Sequence, residues 1–262
     1  MLRNARQLLA SAVIHKAMDN KFRKNNLIFV LFYFIISFTF TSCDFYNKIM
    51  RCHKNVDKTG HTPCFFFPKT PNMHLEIWKD LALNKIKLKN GDTVASIGVG
   101  SGWREFMLST YTDSITFYME ELDTSCISKE RIKNILLPNY SEIRGSIITN
   151  NFIPTIGTPT TIGINNNKVD KVLILFDTYH HLSDDIAIIK ECNRILKANG
   201  KFIVDEYVTR KNKFAYPFFC PIVGGYFKSE KNFIKDIVDN GFKCDTVYRE
   251  RRHMRIFVFS KL

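Results

Sequence analysis

Residues 94–102, VASIGVGSG, place Gly98, Gly100 and Gly102 at alternate positions directly behind a short apolar run. Glycines let a backbone turn tightly and approach a ligand that any side chain would push away. A dinucleotide-binding loop has its third glycine one position later, where this sequence has Trp103. The spacing therefore favours a smaller cofactor without a pyrophosphate. Close packing of the strand on the next helix is the alternative explanation for the glycines.

Around this loop, helical and extended patterns alternate from about Met73 to the C-terminus. Strands are predicted at 93–98, 114–119, 152–156, 171–176, 201–205, 244–248 and 254–259. Helices are predicted at 73–83, from Ser183 to Gly200, and from Ser229 to Gly241. Pro154 predicts that the third strand is short or irregular. The alternation predicts an α/β fold with a doubly wound, mostly parallel sheet, helices on both faces and a closing antiparallel hairpin.

Carboxylates follow the second predicted strand, in residues 119–123, MEELD. An acid about 20 residues past a glycine loop can accept hydrogen bonds from ribose hydroxyls. Glu121 has the best register for that role, and Asp123 is a second candidate. A solvated strand end is the alternative explanation for either acid.

With these motifs in place, the sequence resembles the class I S-adenosylmethionine-dependent methyltransferases. The resemblance covers roughly Trp78 to the C-terminus. It rests on VASIGVGSG, FYMEELD, DKVLILFDTYHHL, KECNRILKANGKFIVDE and the closing hairpin. The last two quoted stretches are particularly similar to small-molecule and quinone-type methyltransferases. The resemblance implies a Rossmann-like sheet of seven strands whose last strand is antiparallel, and S-adenosylmethionine as the cofactor.

The resemblance also implies individual roles. Gly98, Gly100 and Gly102 would line the methionine part of the cofactor, Glu121 would hold the ribose, and Thr158-Pro159 would lie beside the adenine. The predicted cofactor-binding set is completed by Ser96, Ser101, Asp123 and Asp177.

Two positions depart from the family's pattern. The family usually has an acid where Ser96 stands, and often one near Thr158. A serine can form a hydrogen bond, but it supplies no charge near the cationic end of the cofactor.

Methyl transfer from a sulfonium requires mainly that the nucleophile is aligned and water excluded. His180 and His181 follow the fourth strand, where ligands bind in such sheets, and either could accept a proton. We favour His180 because it is nearer to the strand end, while a purely structural role stays open for both. The Tyr- and Phe-rich residues 207–228 suggest a small, apolar or planar acceptor, or else a packed lid.

The N-terminal part is organised differently. Residues 1–26 form a basic tail, residues 27–43 a hydrophobic signal or anchor segment, and residues 44–73 a polar tether before the domain at 74–262. The apolar run at 27–40 is shorter than the ~20 residues of a spanning helix. The small residues before Cys43 resemble a lipobox, which implies lipidation there and attachment to a membrane. A buried apolar helix is the alternative.

The chain carries a formal net charge of +13, but no zinc-finger or RNA-binding signature accompanies it, so we expect no nucleic-acid partner. Cys52-His53 and His61-x-x-Cys64 form a tight cluster of possible metal ligands, but the adjacent Cys52-His53 pair fits zinc spacing poorly. A Cys52–Cys64 disulfide or no bond is favoured there, and we predict no metal site. Three other cysteines, at 126, 192 and 244, fall on apolar stripes and are predicted to lie in the core.

The leading hypothesis is a methyltransferase, and the rival is a cofactor-free, membrane-attached envelope protein with the same fold.

Overall fold

The computed structural model describes residues 75–175, 178–209, 213–214, 226–250 and 253–262. The tail, the hydrophobic segment and the tether lie outside these residues, as do Cys43, Asp177 and the cysteine–histidine cluster at 52–64. Among the helices of the described ranges, none combines the length and apolar character that crossing a bilayer demands.

A single mixed sheet of seven strands organises the fold. Its strands are β1 (Thr93–Ile97), β2 (Thr116–Glu121), β3 (Asn151–Ile156), β4 (Val169–Ile174), β5 (Leu196–Tyr207), β8 (Phe242–Arg249) and β9 (Met254–Lys261). Two short strands, β6 (Lys213–Phe214) and β7 (Tyr226–Phe227), pair separately. The sheet order is β3-β2-β1-β4-β5-β9-β8, with β1 to β5 parallel and β9 antiparallel to both of its neighbours. The predicted fold class is confirmed.

Helices cover both faces of the sheet. They are α1 (Leu75–Asp80), α2 (Trp103–Ser109), α3 (Lys129–Arg131), α4 (Leu137–Arg144), α5 (Asp185–Ile195) and α6 (Glu230–Val238). A π-helical turn, Leu81–Lys85, extends α1, and another, Ile132–Leu136, joins α3 to α4. Ser229 caps α6 by accepting a hydrogen bond from the backbone N–H of Asn232, and Gly241 follows with a φ of +89°.

The core has two halves, because neighbouring residues of a strand point to opposite faces. On one face Val94 and Leu173 pack with Phe106 of α2 and Tyr140 of α4. On the other face Ala95 and Val172 pack with side chains of the second helical layer, which include Ile189 of α5 and Phe233 of α6. The unbroken apolar run predicted for the fourth strand is explained by this double burial.

Three local predictions were wrong. The helix after β4 is capped by Asp184 rather than Ser183, because the Asp184 side chain accepts a hydrogen bond from the Ala187 N–H at 2.9 Å. That helix ends at Ile195, since the backbone turns extended at Leu196 to pair with β4 instead of continuing to Gly200. Strand β3 is complete despite Pro154, because it lies at the edge of the sheet, where a proline is tolerated.

The three cysteines predicted to lie in the core differ from one another. Cys192 is buried and free, and Cys244 is half-buried and free. Cys126 is buried but is also disulfide-bonded, which the apolar pattern around it did not indicate.

Candidate active site

All three loop glycines have positive φ, at +65° for Gly98, +55° for Gly100 and +76° for Gly102. A Cβ on Gly102 would lie 2.8 Å from the Met119 Cε atom, and a Cβ on Gly98 would overlap the methyl group of Thr178. Packing within the protein therefore disfavours a side chain at Gly98, and at Gly102 the Met119 and Ile127 side chains would have to shift. The packing explanation left open by the sequence holds for both of them.

Gly100 differs from the other two glycines, because a Cβ added there would meet no atom of the described residues within 4 Å. Its N–H donates a hydrogen bond to Glu121 Oε2 at 2.7 Å. Glycine at this position leaves backbone and carboxylate exposed side by side in open space. That cradle fits a small ligand with hydroxyl donors, as the ribose of S-adenosylmethionine would provide.

A pocket of about 270 Å³ opens beside this loop, at the carboxyl ends of the parallel strands. It lies next to the junction of β1 and β4, where the strand order reverses and where ligands bind in open α/β sheets. Four of the predicted site residues line it together: Gly98, Glu121, Thr158 and His181. It also contains Glu120 and Leu122, which the sequence analysis did not assign.

Glu120 and Glu121 are consecutive on β2, so their side chains leave opposite faces of the sheet. Glu121 is half-exposed and accepts the Gly100 hydrogen bond, whereas Glu120 is only 3% exposed. Burial raises the pKa of Glu120 to about 7, against the lowering effect of the Gly98 N–H and with a smaller contribution from repulsion by Glu121. The sequence could have indicated a buried Glu120, because side chains alternate between the two faces of a strand and one of two adjacent acids must therefore point inward.

Ser96 has a different environment from the other predicted cofactor residues. It is 1% exposed, and its hydroxyl donates a hydrogen bond to Glu105 Oε1 at 2.6 Å beneath the glycine loop. Glu105, in the first turn of α2, is also 1% exposed, and its Oε2 has no hydrogen-bond partner among the described residues. Burial raises the pKa of Glu105 to about 7, although the bond from Ser96 lowers it. An acid is thus in direct contact with Ser96, on the next helix.

The two histidines have separate environments. His181 lines the pocket, whereas His180 is buried, with a side chain 3% exposed, and does not line it. His180 Nδ1 lies 3.0 Å from Glu206 Oε1, and its backbone N–H donates to Glu206 Oε2 at 3.1 Å. The rings of His180 and His181 lie 4.1 Å apart between centroids. His180 is therefore held by Glu206 and contacts the pocket-lining histidine.

The remaining predicted residues are distributed around the loop. Ser101 is buried. Asp123 caps a short 3₁₀ turn by accepting the Ser125 N–H at 2.9 Å. Thr158 begins a tight turn in which its hydroxyl accepts the N–H of Thr161 at 2.9 Å. Asp177 lies outside the described residues.

Comparison with known proteins supports the fold. A family model described as "Methyltransferase domain" matches residues 143–204, which run from the end of α4 into β5. A search among curated proteins finds no match.

Solved structures that resemble the chain are distant in sequence. An S-adenosylmethionine-dependent methyltransferase from Aquifex aeolicus has a TM-score of 0.53 and 18% identity, with 76% of this chain and 100% of that one covered. A Haloferax volcanii protein solved with the methyltransferase activator Trm112 has a TM-score of 0.52 and 16% identity, with 72% and 92% covered. The [4+2]-cyclase SpnF has a TM-score of 0.52 and 14% identity, with 71% and 81% covered. The chain therefore has the Rossmann-like methyltransferase fold.

Proposed function

We propose that the protein is an S-adenosylmethionine-dependent methyltransferase acting on a small acceptor. The observation that carries this proposal is the open position of Gly100 beside the Glu121 carboxylate. Packing accounts for Gly98 and Gly102, but no atom of the described residues needs a glycine at 100. The φ of +55° already favours glycine there, and the open space around it would let a ligand approach the backbone.

When bound, S-adenosylmethionine supplies an electrophilic methyl group on a sulfonium. The glycine loop would hold the methionine part, and Glu121 would accept hydrogen bonds from the ribose hydroxyls. Thr158-Pro159 and the exposed Leu122 would flank the base from two sides of the pocket. Glu105, held by Ser96, would supply negative charge beneath the loop on the side where Ser96 supplies none.

Proton transfer in this proposal is assigned to His181 rather than to His180. His181 faces the pocket, and a histidine can accept a proton from an oxygen or carbon acid near neutral pH. His180 and Glu206 act as positioning residues, because the carboxylate fixes the His180 ring against which His181 packs. An apolar or planar acceptor bordered by residues 207–228 completes the proposal.

The cofactor-free alternative is not favoured. A protein that kept the fold without its ligand would still favour glycine at 98, 100 and 102, because all three have positive φ, but it would not need the open space between Gly100 and Glu121. The fold alone does not determine the reaction, since one of the similar structures is a [4+2]-cyclase. Ligand binding therefore has to be measured directly.

Calorimetric titration of the full chain with S-adenosylmethionine and its demethylated product tests the proposal. We expect micromolar binding to the wild type and a loss of tenfold or more in Gly100→Ala, because a new methyl group would enter the cradle. Gly91→Ala is the matched control: Gly91 also has positive φ (+86°) and open space around its Cβ direction, but it lies in a remote turn. Equal weakening in both variants, or no binding by folded wild type, would contradict the proposal.

The N-terminal segment supports a second, separate proposal, that residues 27–43 attach the protein to a membrane with Cys43 as the lipidated residue. Metabolic labelling with a tagged fatty acid and a Cys43→Ser variant tests it. The labelled protein should partition with membranes, and the variant should carry no label.

A further inference from the structure

The wall of the pocket nearest to β3 contains one buried acid, Glu120. Its carboxyl occupies the space that a side chain on Gly157 would need, because a Cβ added to Gly157 would overlap Glu120 Oε1. The only protein donor to this carboxyl in the described residues is the Gly98 N–H, at 3.3 Å from Oε2. The glycine at 157 thus makes room for an acid that points towards the pocket.

Glu120 has no positive partner among the described residues, since no lysine, arginine or histidine there forms an ion pair with it. A buried acid with a single long hydrogen bond is costly unless another donor reaches it. The neighbouring turn does not provide one, because the Thr158 hydroxyl is engaged with Thr160 and Thr161. Because Glu120 lines the pocket, a bound ligand can supply the missing donor.

We propose that Glu120 determines the specificity of the pocket for the base of its nucleoside ligand, by accepting a hydrogen bond from an exocyclic amine. The inference rests on the proposed function, which brings a nucleoside into this pocket. Glu121 would hold the sugar on one face of β2, while Glu120 would contact the base from the opposite face. An amino-purine offers a donor to the carboxyl, whereas an oxo-purine presents an acceptor that the carboxylate repels.

The test compares two ligands that differ at this edge of the base: S-adenosylhomocysteine, with the amine, and S-inosylhomocysteine, with a carbonyl oxygen in its place and a proton on the adjacent ring nitrogen. Calorimetry with the full-length wild type at about pH 8.5, above the Glu120 pKa of about 7, is expected to give at least about tenfold tighter binding of the adenosyl compound, the size expected for a hydrogen bond to a charged group. In Glu120→Gln the ratio should fall below about threefold, because an amide can serve either partner.

Glu121→Gln is the matched control, with the same chemical change one residue away. It should weaken both ligands by a similar factor and leave their ratio intact. Thermal unfolding of each variant verifies that it is folded. The ratio of the wild-type affinities for the two ligands tests the inference independently of any variant.

The outcomes separate this inference from the proposed function. Equal binding of the two ligands to wild type, or an unchanged ratio in Glu120→Gln, overturns the role of Glu120 while methyl transfer stands. Failure of folded wild type to bind either ligand overturns the proposed function itself.

Discussion

Replacement of Glu105 by Gln tests the buried acid beneath the glycine loop. Glutamine keeps the shape of the side chain and an oxygen that accepts the Ser96 hydroxyl, but it never ionises. It therefore imitates the protonated carboxyl. Any difference between the two proteins reports the cost of the negative charge in this place.

The magnitude follows from the pKa values. The folded protein has a Glu105 pKa of about 7, against 4.5 for an ordinary glutamate. The difference of about 2.5 corresponds to about 3 kcal/mol, at about 1.4 kcal/mol for each pKa unit. Because the folded state binds the proton more tightly, wild-type stability falls as the pH rises from about 4.5 to 7.

Urea unfolding between pH 5 and pH 8 measures this effect, with the fluorescence of Trp78 and Trp103 as the signal. Trp103 is the first residue of α2, and the Trp78 ring packs against it. We expect similar free energies of unfolding for wild type and Glu105→Gln at pH 5. At pH 8 the variant should be more stable by about 3 kcal/mol. Glu142→Gln replaces an exposed acid on α4, and its free energy of unfolding should equal that of the wild type at every pH. Parallel curves for wild type and Glu105→Gln would refute the reasoning.

Three further changes test other parts of the structure. Gly102→Ala should lower the free energy of unfolding by about 1 kcal/mol more than Gly91→Ala in urea melts, because only the former makes close contacts, with Met119 and Ile127, in addition to backbone strain. Equal losses would show that these side chains move aside at no cost. Glu206→Ala should lower the free energy of unfolding by about 2 kcal/mol, because it removes the carboxylate that accepts the His180 backbone N–H and pairs with its buried ring; a loss below about 0.5 kcal/mol would contradict that account. Arg194→Lys should speed hydrogen exchange at the Ile162 amide. Arg194 orients the Glu191 carboxylate that accepts this N–H, and it also donates to the Ile162 carbonyl. Unchanged exchange at Ile162 would argue against this anchoring role.

The architecture could be predicted from the sequence because its signals are local. The apolar run of β4, the glycine loop and the Gly241 helix end each depend on residues a few positions apart. The strand boundaries differed by a few residues, as at β5, which begins at Leu196 rather than 201. Such shifts arise because strand pairing, rather than local pattern, determines where a strand starts.

The candidate site was less predictable, because its decisive contacts join separate elements. Glu206 reaches His180 across 26 positions, and no local pattern links the two. Glu105 is nine positions from Ser96, at a spacing that only the return of the chain from β1 into α2 brings together. Glu120 could have been noticed, since two adjacent acids at a strand end cannot share one face.

The two edge strands of the sheet affect the tendency of the protein to aggregate at high concentration or during folding. An exposed edge strand offers unpaired backbone groups to other chains. At one edge, Pro154 removes a donor from β3. At the other, β8 presents the exposed charges of Lys243, Asp245 and Arg249. Both edges therefore discourage the strand-to-strand aggregation to which an open sheet of this size is prone.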